Sequence, residues 1–182
     1  MSSLGATYLD SAIKRLLTYK TLGDNTFAQL DQNDFHHAPN TGSNSIAIII
    51  RHLHGNMLSR WTNFLSEDGE KPGRDRDAEF STPSLGKDAL IALWEEGWNC
   101  LFTALRALRE EDLQKTITIR HEPLIVIDAI NRQLAHYPHH VGQIVYIGKM
   151  IRNDNWQSLS IPKGASGEFN LKMKDRHAKE DR

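Results

Sequence analysis

One segment restricts the fold more than any other. Val126, Ile130, Gln133, His136, His140, Ile144, Ile147 and Ile151 recur at three- and four-residue steps, the spacing that lines one face of an α-helix. The spacing predicts a helix from about Pro123 or Leu124 to about Ile151, with proline tolerated in its first turn. A stripe of this length is stable only when other helices cover it.

Three further segments carry the same period. Leu9, Ile13, Leu16, Leu17, Leu22, Phe27 and Leu30 predict a helix over about Leu4 to Leu30, softened at Gly23-Asp24-Asn25. Ser43-Asn44-Ser45 offers capping oxygens for a second helix, predicted over about 44 to 65 and carrying Leu53, Met57, Trp61, Phe64 and Leu65. Leu90, Leu93, Trp94, Gly97, Leu101, Leu105 and Leu108 mark a third, from Gly86 to Leu108, with Cys100 beside the stripe as a small hydrophobe. Between the third and fourth helices, Leu113 to Arg120 alternates polar and β-branched residues, the pattern of a short strand or half of a small hairpin. The expected fold class is all-α, a four-helix bundle with a short β-hairpin between helices three and four.

At 182 residues the chain is long enough for a single core. Residues 1–170 are expected to form one domain, and the charge-rich 171–182 a disordered tail. Trp156, Leu159, Ile161 and Phe169 are candidates to pin the segment after helix four across the helices. The stretch from Ser66 to Pro83 reads as too polar to pack and too long for an ordinary connection, so it is expected to be a lid or a solvated loop.

Charge excludes some functions. A formal net charge of −1 gives no basic field for nucleic acid or an anionic membrane. The single cysteine, Cys100, rules out an internal disulfide. No apolar run reaches membrane-spanning length, and the first residues lack a secretory pattern, so a cytoplasmic location is expected.

The chemistry is concentrated in histidine. His136 and His140 lie four apart on one helical face, so both rings can reach one ion of the zinc or nickel kind. A third ligand must come from elsewhere, and Arg51-His52-Leu53-His54 is the candidate cluster. His52 shares a face with Ile48, Ile49 and Asn56, and His54 with Ile50, Met57 and Trp61; periodicity does not choose between them. His139 falls off the stripe, and His36-His37 lies in a turn-rich connector. Pro138, between the paired histidines, lacks the N–H that would bond to the carbonyl of Leu134, so a kink or bulge is expected there.

His136-Tyr-Pro-His-His140-Val-Gly142-Gln143 resembles the helix-four signature of the DinB/YfiT-like metalloenzymes, approximately His-x-x-x-His-x-Gly-Gln. Ile50-Arg-His52-Leu-His-Gly55-Asn56-Met-Leu-Ser-Arg60-Trp61, Asp68-Gly-Glu-Lys-Pro72, Arg76-Asp77-Ala-Glu79-Phe80 and Ile161-Pro-Lys-Gly164-Ala-Ser166 are similar to an uncharacterised bacterial branch of that superfamily, a domain of unknown function. The resemblance covers nearly the whole chain. It implies a four-helix bundle in a mirror variant of up-and-down topology, with a divalent ion on His52, His136 and His140 and none on His54. Pro138 departs from the branch.

Characterised members of the superfamily include transferases and an isomerase that use low-molecular-weight thiols such as bacillithiol or mycothiol. The resemblance therefore implies metal-assisted thiol transfer on a small-molecule substrate. Asn56, Gln143 and Arg60 are candidates to orient ligands or hold an anionic group, and a homodimer is expected. Metal-dependent hydrolysis is the alternative enzyme, although no Glu adjoins the histidine pair as it would in His-Glu-x-x-His. A non-enzymatic dimerisation or metal-sensing module is the third reading.

Overall fold

The computed structural model describes residues 3–180; Met1, Ser2 and residues 181–182 lie outside the described residues. Four long helices dominate: α1 (Leu4–Phe27), α2 (Ile46–Trp61), α4 (Lys87–Ala107) and α5 (Val126–Arg152). A single-turn helix, α3 (Arg76–Glu79), lies between α2 and α4, and α6 (Ser166–Glu180) follows α5. Two strands, β1 (Thr116–Ile119) and β2 (Glu122–Ile125), pair antiparallel between α4 and α5. The chain is thus mostly helical with one small sheet. None of its described helices is long and apolar enough to cross a membrane.

The long helices pack as α1 on α5 and α2 on α4, with further contacts of α2 with α5 and α1 with α4. Leu16, Ile49, Leu53, Trp94, Trp98 and Tyr137 are among the side chains they bury between them. Ser3 and Ser45 start α1 and α2 by accepting from the N–H of Ala6 and Ile48, which satisfies donors that have no partner inside the helix. The soft point expected at Gly23 does not interrupt α1. The Trp94 ring lies against Gly23 where a Cβ would stand, and the Trp94 indole N–H donates to Asp24 at 2.7 Å. Glycine there allows α1 to approach α4.

The extended segment is one arm of a hairpin, as the alternation implied, but its partner strand takes residues expected in the last long helix. Pro123 pairs opposite Thr118 in β2, and α5 starts only at Val126. The turn residues Arg120 and His121 both have positive φ, 55° and 65°, as a two-residue type I′ turn requires. Neither is glycine, and the conformation is supported from outside: the Asp68 carboxylate accepts both of their backbone N–H groups at 2.8 Å.

That contact belongs to the segment from Ser66 to Pro83, which is not a solvated loop. The Gly69 N–H donates to the Thr118 carbonyl at 2.8 Å. The Gly69 carbonyl accepts from the Ser59 hydroxyl at 2.7 Å and from the Arg60 guanidinium. Glu79, in α3, is 7% exposed. Polar composition misled because the segment buries charge against charge instead of apolar surface.

After α5 the expected pinning is half realised. Trp156 and Leu159 are half-buried, whereas Ile161 and Phe169 are 40% and 41% exposed. From Lys172, where charge suggested an irregular tail, the described chain continues as α6, with an exposed Glu168–Lys172 pair one helical turn apart at 2.6 Å.

Candidate metal centre

Three histidines converge where α2 and α5 face one another. Their ring nitrogens lie within 4.8 Å of each other, a grouping that could hold a metal ion. His52 Nε2 and His136 Nε2 are 3.4 Å apart. Two nitrogens at ~2.0–2.1 Å from one tetrahedral ion stand roughly 3.3 Å from each other, so this spacing suits a shared ion.

The other ring nitrogen of each histidine is already committed. His52 Nδ1 lies 3.0 Å from Glu79 Oε2, His136 Nδ1 3.3 Å from Gln133 Oε1, and His140 Nδ1 2.9 Å from Gln143 Oε1. Carboxylate and amide oxygens only accept, so each Nδ1 carries a proton, and each ring in its neutral form presents a lone pair on Nε2. Between neutral rings the 3.4 Å approach of His52 and His136 sets two lone pairs face to face, for which a cation is the complementary partner. Burial, then the neighbouring His140 and His52, pushes the His136 pKa down to about 3, and burial pushes His140 down to about 4. Both rings are therefore neutral at pH 7, the form that ligates metal.

The two α5 histidines are not quite on the core stripe. Tyr137 and Val141 take the deepest positions, fully buried, and place His136 and His140 half-buried at the stripe's edge. This shift by one residue turns the rings towards a cavity instead of into the core. α5 runs unbroken through Pro138, and the histidines on either side of it still meet. His139 is exposed and sits 3.2 Å from Gln143 Nε2, so it reaches the centre only through Gln143. His54 lies outside the group and pairs with Glu96 at 2.9 Å. His36 bonds to the Leu85 carbonyl at 2.9 Å, away from the centre.

Glu79 is the residue that sequence reasoning missed. Its carboxylate accepts from His52 and, through both oxygens, from Arg74 Nε and Nη2 at 2.7 and 2.9 Å. Burial works to raise its pKa, but the hydrogen bonds from His52 and Arg74 outweigh burial and hold it below the usual range. The carboxylate occupies the space over Gly55 that a Cβ would fill. Gly55, three residues after His52, is therefore part of the support. No spacing signal marks Glu79, which is 27 residues from His52. Gln133 could have been found, since its spacing to His136 mirrors that of Gln143 to His140.

Of the three supporting residues expected, Gln143 orients His140 directly. Asn56 is buried and accepts from the Tyr137 hydroxyl at 3.1 Å, and that hydroxyl accepts from the Trp61 indole at 3.0 Å. Arg60 is held by Gly69, Ser59 and Glu70, and so fastens the loop to α2. Asn56, Arg60 and the three histidines line one cavity of about 310 Å³.

No curated protein and no solved structure matches this chain. A family described as "Protein of unknown function (DUF1572)" matches residues 3–165, nearly the full length, and the chain belongs to that family.

Proposed function

We propose that the protein is a divalent-metal enzyme of the DinB/YfiT kind, its four long helices forming the bundle of that superfamily. His52, His136 and His140 would hold zinc or nickel, and a low-molecular-weight thiol of the bacillithiol type would serve as cosubstrate in an S-transfer reaction. One observation carries this reading: three Nε2 lone pairs, each fixed by a partner on Nδ1, converge at the wall of a cavity. Three protein ligands and an open side are the arrangement of a catalytic site, whereas structural zinc is enclosed by four.

A bound divalent ion supplies the positive charge that keeps a thiol ionised at neutral pH. The chain's own residues supply the rest. Glu79, Gln133 and Gln143 hold the three rings in the ligating tautomer. Asn56, its oxygen engaged by Tyr137, offers its NH₂ to the cavity and can orient a substrate oxygen. Burial raises the Tyr137 phenol above its usual range, so it stays a neutral donor to Asn56.

Hydrolysis is less well supported. Among the described residues, the only carboxylate bonded to one of these three histidines is Glu79, and both its oxygens are taken by His52 and Arg74, which leaves it unsuited to accept a proton from water. A homodimer in the cytoplasm belongs to the same proposal.

The test is calorimetry with zinc-loaded protein and bacillithiol in two buffers of different ionisation enthalpy, with metal content measured in parallel. Coordination of a thiolate releases a proton, so the heats should differ between buffers. Equal heats, or thiol binding that persists in metal-free His140→Ala, would refute the thiolate reading.

A further inference from the structure

The cavity beside the histidines is lined by five arginines: Arg60, Arg74, Arg76, Arg120 and Arg132. Among the described residues, no carboxylate lines it. Glu70 and Glu79, behind the wall, pair with Arg60, Arg74 and Arg120. Five positive charges set against those two negative ones leave an excess of three around one small space. The chain as a whole carries a net charge of −1, so this concentration is local, and like charges so arranged repel unless an anion joins them.

The donors left over show where an anion would bind. Arg74 has a side chain 5% exposed, and its Nη1 is buried with no hydrogen-bond acceptor among the described residues; the Glu70 carboxylate is 3.8 Å away. A buried unsatisfied guanidinium N–H is costly. Arg76 is held through its π-face, with its guanidinium carbon 5.2 Å from the Phe80 ring centroid, and Phe80 in turn lies 4.9 Å from the His52 ring. A cation–π contact fixes the side chain without using its N–H donors. Arg132 has no hydrogen-bond or ion-pair partner among the described residues. It precedes His136 by four residues, so it stands one helical turn from a metal ligand on the same face of α5.

We infer that this cavity is an oxyanion subsite, and that the molecule used at the metal centre carries a carboxylate or phosphate group read by Arg132, Arg76 and Arg74. This deepens the proposed function and rests on it for the metal-bound end of the ligand. The arginine end stands on its own observations. A small neutral thiol would use only half the site.

Isothermal titration of zinc-loaded protein with mercaptosuccinate and with 2-mercaptoethanol compares an anionic thiol with a neutral one. Mercaptosuccinate should bind about tenfold to a hundredfold more tightly, as one or two charge-assisted hydrogen bonds provide. Arg132→Gln and Arg76→Gln should each remove most of that preference while zinc content stays at the wild-type level. Both side chains are exposed, so their loss leaves the buried core intact, and Arg132→Gln leaves the stacking of Arg76 on Phe80 untouched as well. Succinate and inorganic phosphate titrated into metal-free protein address the subsite without the ion, and the tighter of the two identifies the anion. If zinc is not retained but either anion binds wild type and not Arg132→Gln, the metal reading fails and the subsite stands. Equal affinity for the two thiols, or anion binding unchanged in both arginine variants, overturns the subsite.

Discussion

Replacing Glu79 with glutamine tests whether a carboxylate outside the ligand set governs the centre. Glu79 is 7% exposed and accepts three hydrogen bonds, from His52 Nδ1 at 3.0 Å and from Arg74 at 2.7 and 2.9 Å. An amide has a single acceptor oxygen. If that oxygen takes the place of Oε2, it keeps His52 and Arg74 Nη2 but turns its NH₂ against Arg74 Nε. If it takes the place of Oε1, the NH₂ meets His52 Nδ1 and drives that ring out of the ligating tautomer. Either way at least one charge-assisted bond is lost, about 1.5–3 kcal/mol. Loss of such an orienting partner typically weakens metal binding about 10–100-fold, or roughly 1.4–2.7 kcal/mol. A destabilisation of about 2 kcal/mol corresponds to ~4–8 °C in Tm for a chain of this size. Zinc affinity is measured by competition with a chromophoric chelator, and Tm of the metal-free protein by circular dichroism. A folded Glu79→Gln that binds zinc within about twofold of wild type would refute the role assigned to this carboxylate.

Further outcomes follow from the same geometry. His140→Ala should lose the ion but keep its helical content, because the apolar stripes supply most of the stability; loss of helix would place the histidines among the structural elements. His54→Ala should leave zinc binding unchanged, since its partner Glu96 is 61% exposed and such pairs contribute only about 0–1 kcal/mol. Gly55→Ala should lower zinc affinity without touching a ligand, because the new methyl displaces Glu79, and overpacking should cost about 1–3 kcal/mol; a wild-type zinc isotherm would contradict this. The backbone N–H groups of Glu70 and His121 hold Asp68 well below the usual carboxylate range. A lower pKa in the folded state means fewer protons bound there, so the stabilisation is present above about pH 4 and is lost as pH falls below that value. In urea titrations Asp68→Asn should accordingly flatten the dependence of stability on pH in that acid window, and an unchanged slope would exclude Asp68 as its source.

The long helices were legible because four apolar stripes keep a helical period, and α1, α2, α4 and α5 lie within a few residues of the expected limits. Pro123 was misassigned because proline is equally at home in a helix's first turn and on an edge strand, and only pairing with Thr118 decides. The pair His136 and His140 was visible from spacing, but its face was misjudged: Tyr137 and Val141 form a parallel apolar line one residue along, and both lines fit the period. Periodicity also left His52 and His54 level. The difference between them is set by α3, whose Glu79 meets His52. Nothing in a run of charged residues says which carboxylate will be buried, so the loop's contribution emerged only with the fold.

The distance along the chain between ligands governs when the centre comes into being. His52 and His136 are separated by 84 residues, and no local structure can bring them together. A nascent chain that has made α2 and α3 possesses His52 and Glu79 but no site, and α5 alone offers only the His136–His140 pair. Small zinc modules take their shape from the ion they enclose. Here the order would be reversed: α2, α3 and α5 must first assemble, and only then could an ion meet all three histidines. Occupancy at this centre would therefore report the folding of the whole chain, and any opening that parts α2 from α5 would dismantle the socket in one step.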